Sequence, residues 1–343
     1  MRRILISPFA LLLLVVVPMF VLLTSGCDDA GGATNGSLKL LNVSYDPTRE
    51  LWKDLNRAFI PKYEMETGQS LTIDQSHGGS GSQARSIIDG LEADVATLSI
   101  WTDTDVLRKN GLLKEKWEET FENKSLPYTS TVVFVVRKGN PKGIKDWSDL
   151  VKPGVSVITP NPKTSGNGRL SLLGAWGSIV LNGGTEADAT EFIKKLYKNA
   201  PNLDTGARGA TMTFAQKGIG DVHITMESEA YLEVKESKGE LELVYPSSSI
   251  LHEPHVAVVD KNVDRKGTRA AAEAYLKFLY TKEGQEIIAK HYFRPSDPEI
   301  AEKTAGQFQP IKMFLITDLV PNWDEAQAKF FADGAIFDKI YSN

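Results

Sequence analysis

The sequence has a single cysteine, Cys27, so no disulfide can form within the chain. It also has no Lys/Arg-rich stripe. Lys and Arg number 39 against 44 Asp and Glu, for a formal charge of −5. Residues 1–26 contribute Arg2 and Arg3 and no acid, so the charge of −5 becomes −7 once they are removed. An acidic chain of this kind is a poor partner for nucleic acid, and its overall field cannot draw in an anion. Any anion site must therefore be built locally. There is no Walker A loop and no G-x-S-x-G elbow, and Gly218-x-Gly220 lacks a third glycine at dinucleotide-binding spacing. No cofactor motif remains. His252 and His255 are close in sequence, but Pro254 interrupts any helix between them and no third ligand is evident, which argues against a metal site.

What is present begins with an export signal. Arg2 and Arg3 precede a nearly uninterrupted apolar run, Ile4 to Leu23, followed by the small residues Thr24, Ser25 and Gly26 and then Cys27. This is the three-part layout of a secretory signal. The position of the cysteine resembles a bacterial lipobox, in which it is lipidated and becomes the new N-terminus. Thr24 stands where that pattern usually has leucine, with Leu23 one place earlier. Two other outcomes fit the same segment. One is cleavage at another small residue; the other is an uncleaved anchor, since ~20 apolar residues can span a bilayer. Residues 1–27 are thus read as signal and lipobox, and 28–37 (DDAGGATNGS) as a flexible tether.

From residue 38 onward, strand-like and helix-like segments alternate, which predicts α/β architecture. Strands are expected over Leu38–Tyr45, Leu71–Ser76, Ala93–Ile100, Val132–Val136, Val155–Thr159, Val222–Met226, Leu241–Tyr245 and His255–Val259. Leu51, Leu55 and Phe59 recur at helical spacing, Ala84–Leu91 and Leu170–Leu181 read as helices, and a late helix marked by Tyr275, Phe278 and Leu279 is expected to end near Gly284.

Four strand-to-helix junctions share one chemistry: small, glycine-rich and hydroxyl-rich. They are Ser44–Arg49, with Asp46 expected to cap and Pro47 to open a helix, then Ser76–Ser82, Asn161–Gly168 and Asp204–Ala210. Glycine lets a ligand approach the backbone. The first N–H groups of a helix have no internal partner and carry the positive end of its dipole. Several such termini converging make an anion site without a cationic side chain. Gly/Ser loops before helices are also ordinary cap chemistry, so pattern alone stops at an α/β protein with a candidate anion site.

At these loops a resemblance becomes specific. LLNVSYDPTREL at 40–51, QSHGGSG at 75–81, PYTSTVVFVVRKGNP at 127–141, NPKTSGNGR at 161–169, TGARGAT at 205–211 and Ala274–Pro295 are similar to the bacterial sulfate-binding proteins, in the family's order and from about residue 38 to the C-terminus. The resemblance implies a type II periplasmic-binding-protein fold: two α/β lobes around a ligand cleft. Lobe I is expected to hold 38–130 plus 255–343, and lobe II 131–254, with the chain crossing at Tyr128–Thr131 and Ile250–Pro254. It further implies a dry oxyanion site of main-chain donors. Asp46 and Ser80 would donate from the first lobe, and Ser165, Gly166, Asn167 and Ala207 from the second, with Ser165 adding its hydroxyl. Arg85, Arg169 and Arg208 adjoin these loops and are expected to pair elsewhere, and His77 to brace its loop.

One position departs from the family. Sulfate binders often have a tryptophan in the strand after the GIGD motif, whose indole N–H reaches the anion. Relatives that favour thiosulfate have phenylalanine there, in an FESE context. Here the motif is Gly218–Asp221 and the residue is Met226, in MESE, which has no N–H to offer. Sulfate and thiosulfate both remain open as ligand. The implied partners are the membrane permease subunits of a sulfate ABC importer and, through Cys27, the membrane itself; the chain is expected to be a monomer located in the periplasm or otherwise outside the cytoplasm. The alternative is an exported α/β enzyme acting on sulfate or phosphate esters, for which no nucleophile, base or metal is indicated.

Overall fold

The computed structural model describes residues 37–341. The expected signal segment, Cys27 and most of the tether lie outside the described residues. Among those described are twelve strands: β1 (Leu38–Tyr45), β2 (Leu71–Gly78), β3 (Val95–Thr97), β4 (Tyr128–Arg137), β5 (Val157–Pro160), β6 (Leu203–Asp204), β7 (Val222–Met226), β8 (Leu241–Val244), β9 (Ser248–His252), β10 (Val256–Val258), β11 (Arg294–Pro295) and β12 (Lys312–Phe314).

The first sheet has the order β10-β3-β1-β2. Strand β1 is central, and its apolar run is buried on both faces, as parallel strands between helical layers require. Its parallel register sets Tyr45 opposite Gly78, and Ser44 opposite Thr97. The loops after β1, β2 and β3 therefore emerge side by side. Helix Arg49–Thr67 follows β1 and buries the expected Leu51, Leu55 and Phe59. It stops at Gly68, whose φ of 69° is the left-handed conformation that ends many helices. The core beneath is aromatic: Trp52 and Phe59 lie 5.1 and 5.2 Å from the Tyr275 ring.

The second sheet has the order β12-β9-β4-β7-β5-β6, with β8 and β11 also pairing β4. Strands β5, β6 and β7 run parallel, with Pro160 opposite Asp204 and Ile158 opposite His223. Their carboxyl ends, too, come out together. Strand β4 runs from one core to the other: Tyr128 packs with the first cluster and Val132 with the second. Ser130 and Thr131 pair with His252 and Leu251 of β9, so the two crossing segments are hydrogen-bonded to each other. A third crossing, not expected from the sequence, lies between Phe293 in the first core and Phe314 in the second.

That crossing corrects the expected division. The segment from Lys312 onward packs with the second core, not the first: Phe314, Ile316, Phe330, Phe331, Phe337 and Ile340 join Trp176 and Leu196 there. Strand β12 pairs with β9, and Phe330 stands edge-on to Trp176 at 5.0 Å. The physical reason is the density of apolar rings in the last 30 or so residues, which need a buried face that the second core supplies. Gly284 is a second correction. The late helix ends at Phe278, and Thr281 caps a new helix, Lys282–Lys290, accepting from Gly284 N–H at 3.1 Å. Glycine is needed there for close approach, because a Cβ would strike the Phe278 carbonyl.

Phe330→Ala tests the C-terminal packing. It should cost about 3–5 kcal/mol, read as a lower denaturation midpoint at unchanged slope; an unaltered midpoint would detach this segment from the core.

Candidate anion-binding site

The loops after β1, β2 and β3 meet those after β5 and β6. Between them lies a narrow space of about 10 Å³, lined from one side by Tyr45, Asp46, Pro47, Gly78, Gly79, Ser80 and Ser99 and from the other by Ser165, Gly166, Asn167 and Ala207. The two sides touch. A Cβ on Gly79 would lie 2.6 Å from the Thr164 carbonyl and 2.8 Å from that of Thr205. One on Gly166 would lie 2.6 Å from Ser99 Oγ, and one on Gly206 would strike the Asp46 carboxylate. Glycine at these places permits the backbones to close on each other.

The donors come from helix starts. Helices begin at Ser80, Gly166 and Ala207, and a short 3₁₀ turn at Asp46. Tyr45, Gly79 and Gly206, which precede three of these starts, supply no side-chain cap. The main-chain N–H groups of Asp46, Ser80, Gly166, Asn167 and Ala207 are first-turn groups that no helix can satisfy. All five residues are buried. Asp46 is not itself a cap: it opens the turn, and its carboxylate instead accepts from Arg49 at 2.7 Å. Ser165 differs from its expected role. Its N–H donates to the Asn161 carbonyl at 2.9 Å, leaving only its hydroxyl, whose oxygen accepts from Gly168 N–H at 3.4 Å.

Among the described residues, no lysine or arginine lines the space. Arg169 binds Asp103 at 2.5 Å and the Pro162 carbonyl at 2.9 Å. Arg208 binds Glu50 at 2.8 Å and approaches Glu229 at 3.4 Å. Arg85 lies in a neighbouring cleft. His77 bridges Ser44 Oγ and Gln75 Oε1, each at 2.7 Å, and burial lowers its pKa to about 4. It is a neutral brace. The positive potential here is that of peptide dipoles.

Met226 is not brought to the lining. On β7, Val222, Ile224 and Met226 share the face that covers the second core, and Met226 is fully buried there. Its neighbour Thr225 faces the other way, with Oγ1 3.5 Å from Asn167 Nδ2. Strand alternation is the reason. Tyr45 and Ser99 were missed. Ser99 was hidden inside an expected strand over Ala93–Ile100, but β3 stops at Thr97. The available signal was topological: a strand pairing parallel to β1 must release its loop at the same edge.

A model of the bacterial extracellular solute-binding protein family matches residues 52–294. The sulfate-binding protein of Escherichia coli is 53% identical over 305 residues, spanning 88% of this chain and 93% of that protein. The thiosulfate-binding protein of Pseudomonas aeruginosa is 52% identical over 314 residues, spanning 91% of this chain and 95% of its own length. Among solved structures, the sulfate-binding protein of Mycobacterium tuberculosis aligns with a TM-score of 0.78 at 32% identity, covering 85% of this chain and 99% of that one. These relatives bear the names of binding proteins, and their two-lobed α/β fold is the one described above. Sharing half its residues with such proteins along nearly their whole length, the chain belongs to the bacterial extracellular solute-binding family, is extracytoplasmic, and is a binding protein rather than an enzyme.

Proposed function

We propose that the chain captures sulfate between its lobes and delivers it to the membrane subunits of an ABC importer. The observation that carries this reading is a buried space lined by first-turn N–H groups and serine hydroxyls, with no cationic side chain on its wall. Asp46, Ser80, Gly166, Asn167 and Ala207 donate from the main chain, and Ser80 and Ser165 from their hydroxyls. Lobe I is taken as 38–130 with 255–311, and lobe II as 131–254 with 312–341. Ligand bridging them favours the closed form, and that form docks as a monomer on the permease.

The donor-only lining also sets the selectivity. Sulfate at neutral pH carries no proton, whereas phosphate carries at least one and needs an acceptor for it. The Asp46 carboxylate is at the wall, but one oxygen is held by Arg49 and the other lies against Gly206. A phosphate proton that points at the main-chain N–H groups meets donors, at a cost of ~1–3 kcal/mol. Thiosulfate is the second reading, favoured by the thiosulfate-binding relative at 52% identity. Met226, lying off the lining, does not choose between them.

Calorimetric titration of the mature chain with sulfate, thiosulfate and phosphate tests this directly. One-to-one sulfate binding with phosphate silent is expected. Stronger heat and affinity for thiosulfate would reassign the ligand, and silence towards both would remove the capture reading. The pH profile adds an independent check. Burial holds His77 near 4 and His252 near 3, so both are neutral from pH 5.5 to 7. Sulfate affinity should not rise as the pH falls over that range; the buried Glu229 carboxyl, which burial pushes up to about 7 beside Arg208, is a group that does titrate there. A site that used an imidazolium would tighten as the pH fell through about 6.5.

The tether completes the reading: Cys27 is lipidated and residues 28–37 space the lobes from the membrane. Detergent-phase partitioning of the exported protein should be lost in Cys27→Ser, with sulfate binding retained. Partitioning that survives the substitution would point to an uncleaved apolar anchor.

A further inference from the structure

We infer that Ser99 donates its hydroxyl proton to the bound anion and that His252 is the positioning residue that turns it there. This inference rests on the capture reading above and extends its set of donors to the turn after β3.

Ser99 is buried on the wall of the space, and its side chain lies against Gly166, where a Cβ would come within 2.6 Å of Ser99 Oγ. It thus faces the start of helix Gly166–Val180 across the cleft. Its main-chain N–H donates to Ser80 Oγ at 2.9 Å. That bond occupies a lone pair of Ser80 and leaves the Ser80 proton to point elsewhere. The two serines are one unit, with both hydroxyls on the same wall.

The direction of the Ser99 proton follows from the imidazole behind it. His252 Nε2 lies 2.8 Å from the Ser99 carbonyl oxygen and 3.1 Å from Ser99 Oγ. A carbonyl oxygen only accepts, so Nε2 must carry the ring proton. His252 is fully buried and Nδ1 has no partner. Burial lowers its pKa to about 3, which keeps the ring in this single neutral form. Tyr45 fixes the ring edge-on at 5.6 Å. With Nε2–H on one side of Ser99 Oγ, the hydroxyl proton cannot point that way. Among the described residues Ser99 Oγ makes no other hydrogen bond, and it lines the space shared with Ser80 and Gly166. The lining thereby gains a first-lobe donor that needs nothing from the apolar Met226.

Titration of the purified mature chain and its variants with sulfate tests both halves. Ser99→Ala should weaken sulfate binding roughly 10- to 100-fold, the loss of one hydrogen bond to a charged group. Ser99→Cys keeps the shape but offers a weak donor and should fall between; it serves if Ser99→Ala does not fold. His252→Phe should weaken binding several-fold, and His252→Gln, whose amide can still donate to the Ser99 carbonyl, should restore most of it. In the double variant Ser99→Ala/His252→Phe, binding should be no weaker than in Ser99→Ala alone. Parent-like sulfate affinity in Ser99→Ala or Ser99→Cys overturns the donor role. Equal losses in His252→Phe and His252→Gln, or losses that add in the double variant, overturn the positioning role. If the parent chain itself ignores both sulfate and thiosulfate, the capture reading fails and this inference falls with it.

Discussion

Main-chain N–H groups that the fold buries without giving them a partner are the constraint on which this structure turns. Peptide donors are obligatory hydrogen-bonding groups, and each one left unpaired away from water costs about 1–3 kcal/mol. Here they belong to helix starts preceded by Tyr45, Gly79 and Gly206, which cannot cap them. Gly79 and Gly206 meet the opposing side, which leaves little room for water beside these groups. A group that accepts from many directions at once is what offsets such a loss. Binding energy that appears only in the closed form is what lets a ligand shift populations.

The same constraint accounts for where the charges are. Arg169 and Arg208 stand beside the anion loops, yet each is engaged by a carboxylate from the facing lobe, Asp103 and Glu50 respectively. Both guanidinium groups are engaged by carboxylates rather than turned to the space, and a well-formed pair leaves little net field at the site. An anion met by dipoles instead of a fixed cation is held through geometry, so it is released when the geometry opens.

Much of this was legible in the residues. Strands β1 and β7 lie where the apolar runs predicted them, and six residues named from the loops, Asp46, Ser80, Ser165, Gly166, Asn167 and Ala207, come together around one space. What the sequence hid has physical causes. Apolar rings after Lys312 announce burial but not which of two cores receives them. Gly284 marks a close approach to the Phe278 carbonyl as readily as a helix end. Met226 was placed by its motif, while the alternation from Val222 sends it to the core. Ser165 looked like its neighbours, but a turn to Asn161 had already taken its N–H.

The crossing segments join these themes. Tyr128–Thr131 is not a loose linker: its backbone pairs with β11 on one stretch and β9 on the next. Arg294, beside it, binds the buried Glu227 carboxylate through two hydrogen bonds, at 2.8 and 2.7 Å. Crossing segments paired along their backbones hold the two cores in a defined register. His252 ends the crossing strand β9 and reaches Ser99 at the anion wall. Ser99 is thus held by an imidazole that the pairing of β4 with β9 fixes, and its side chain lies against Gly166 across the space.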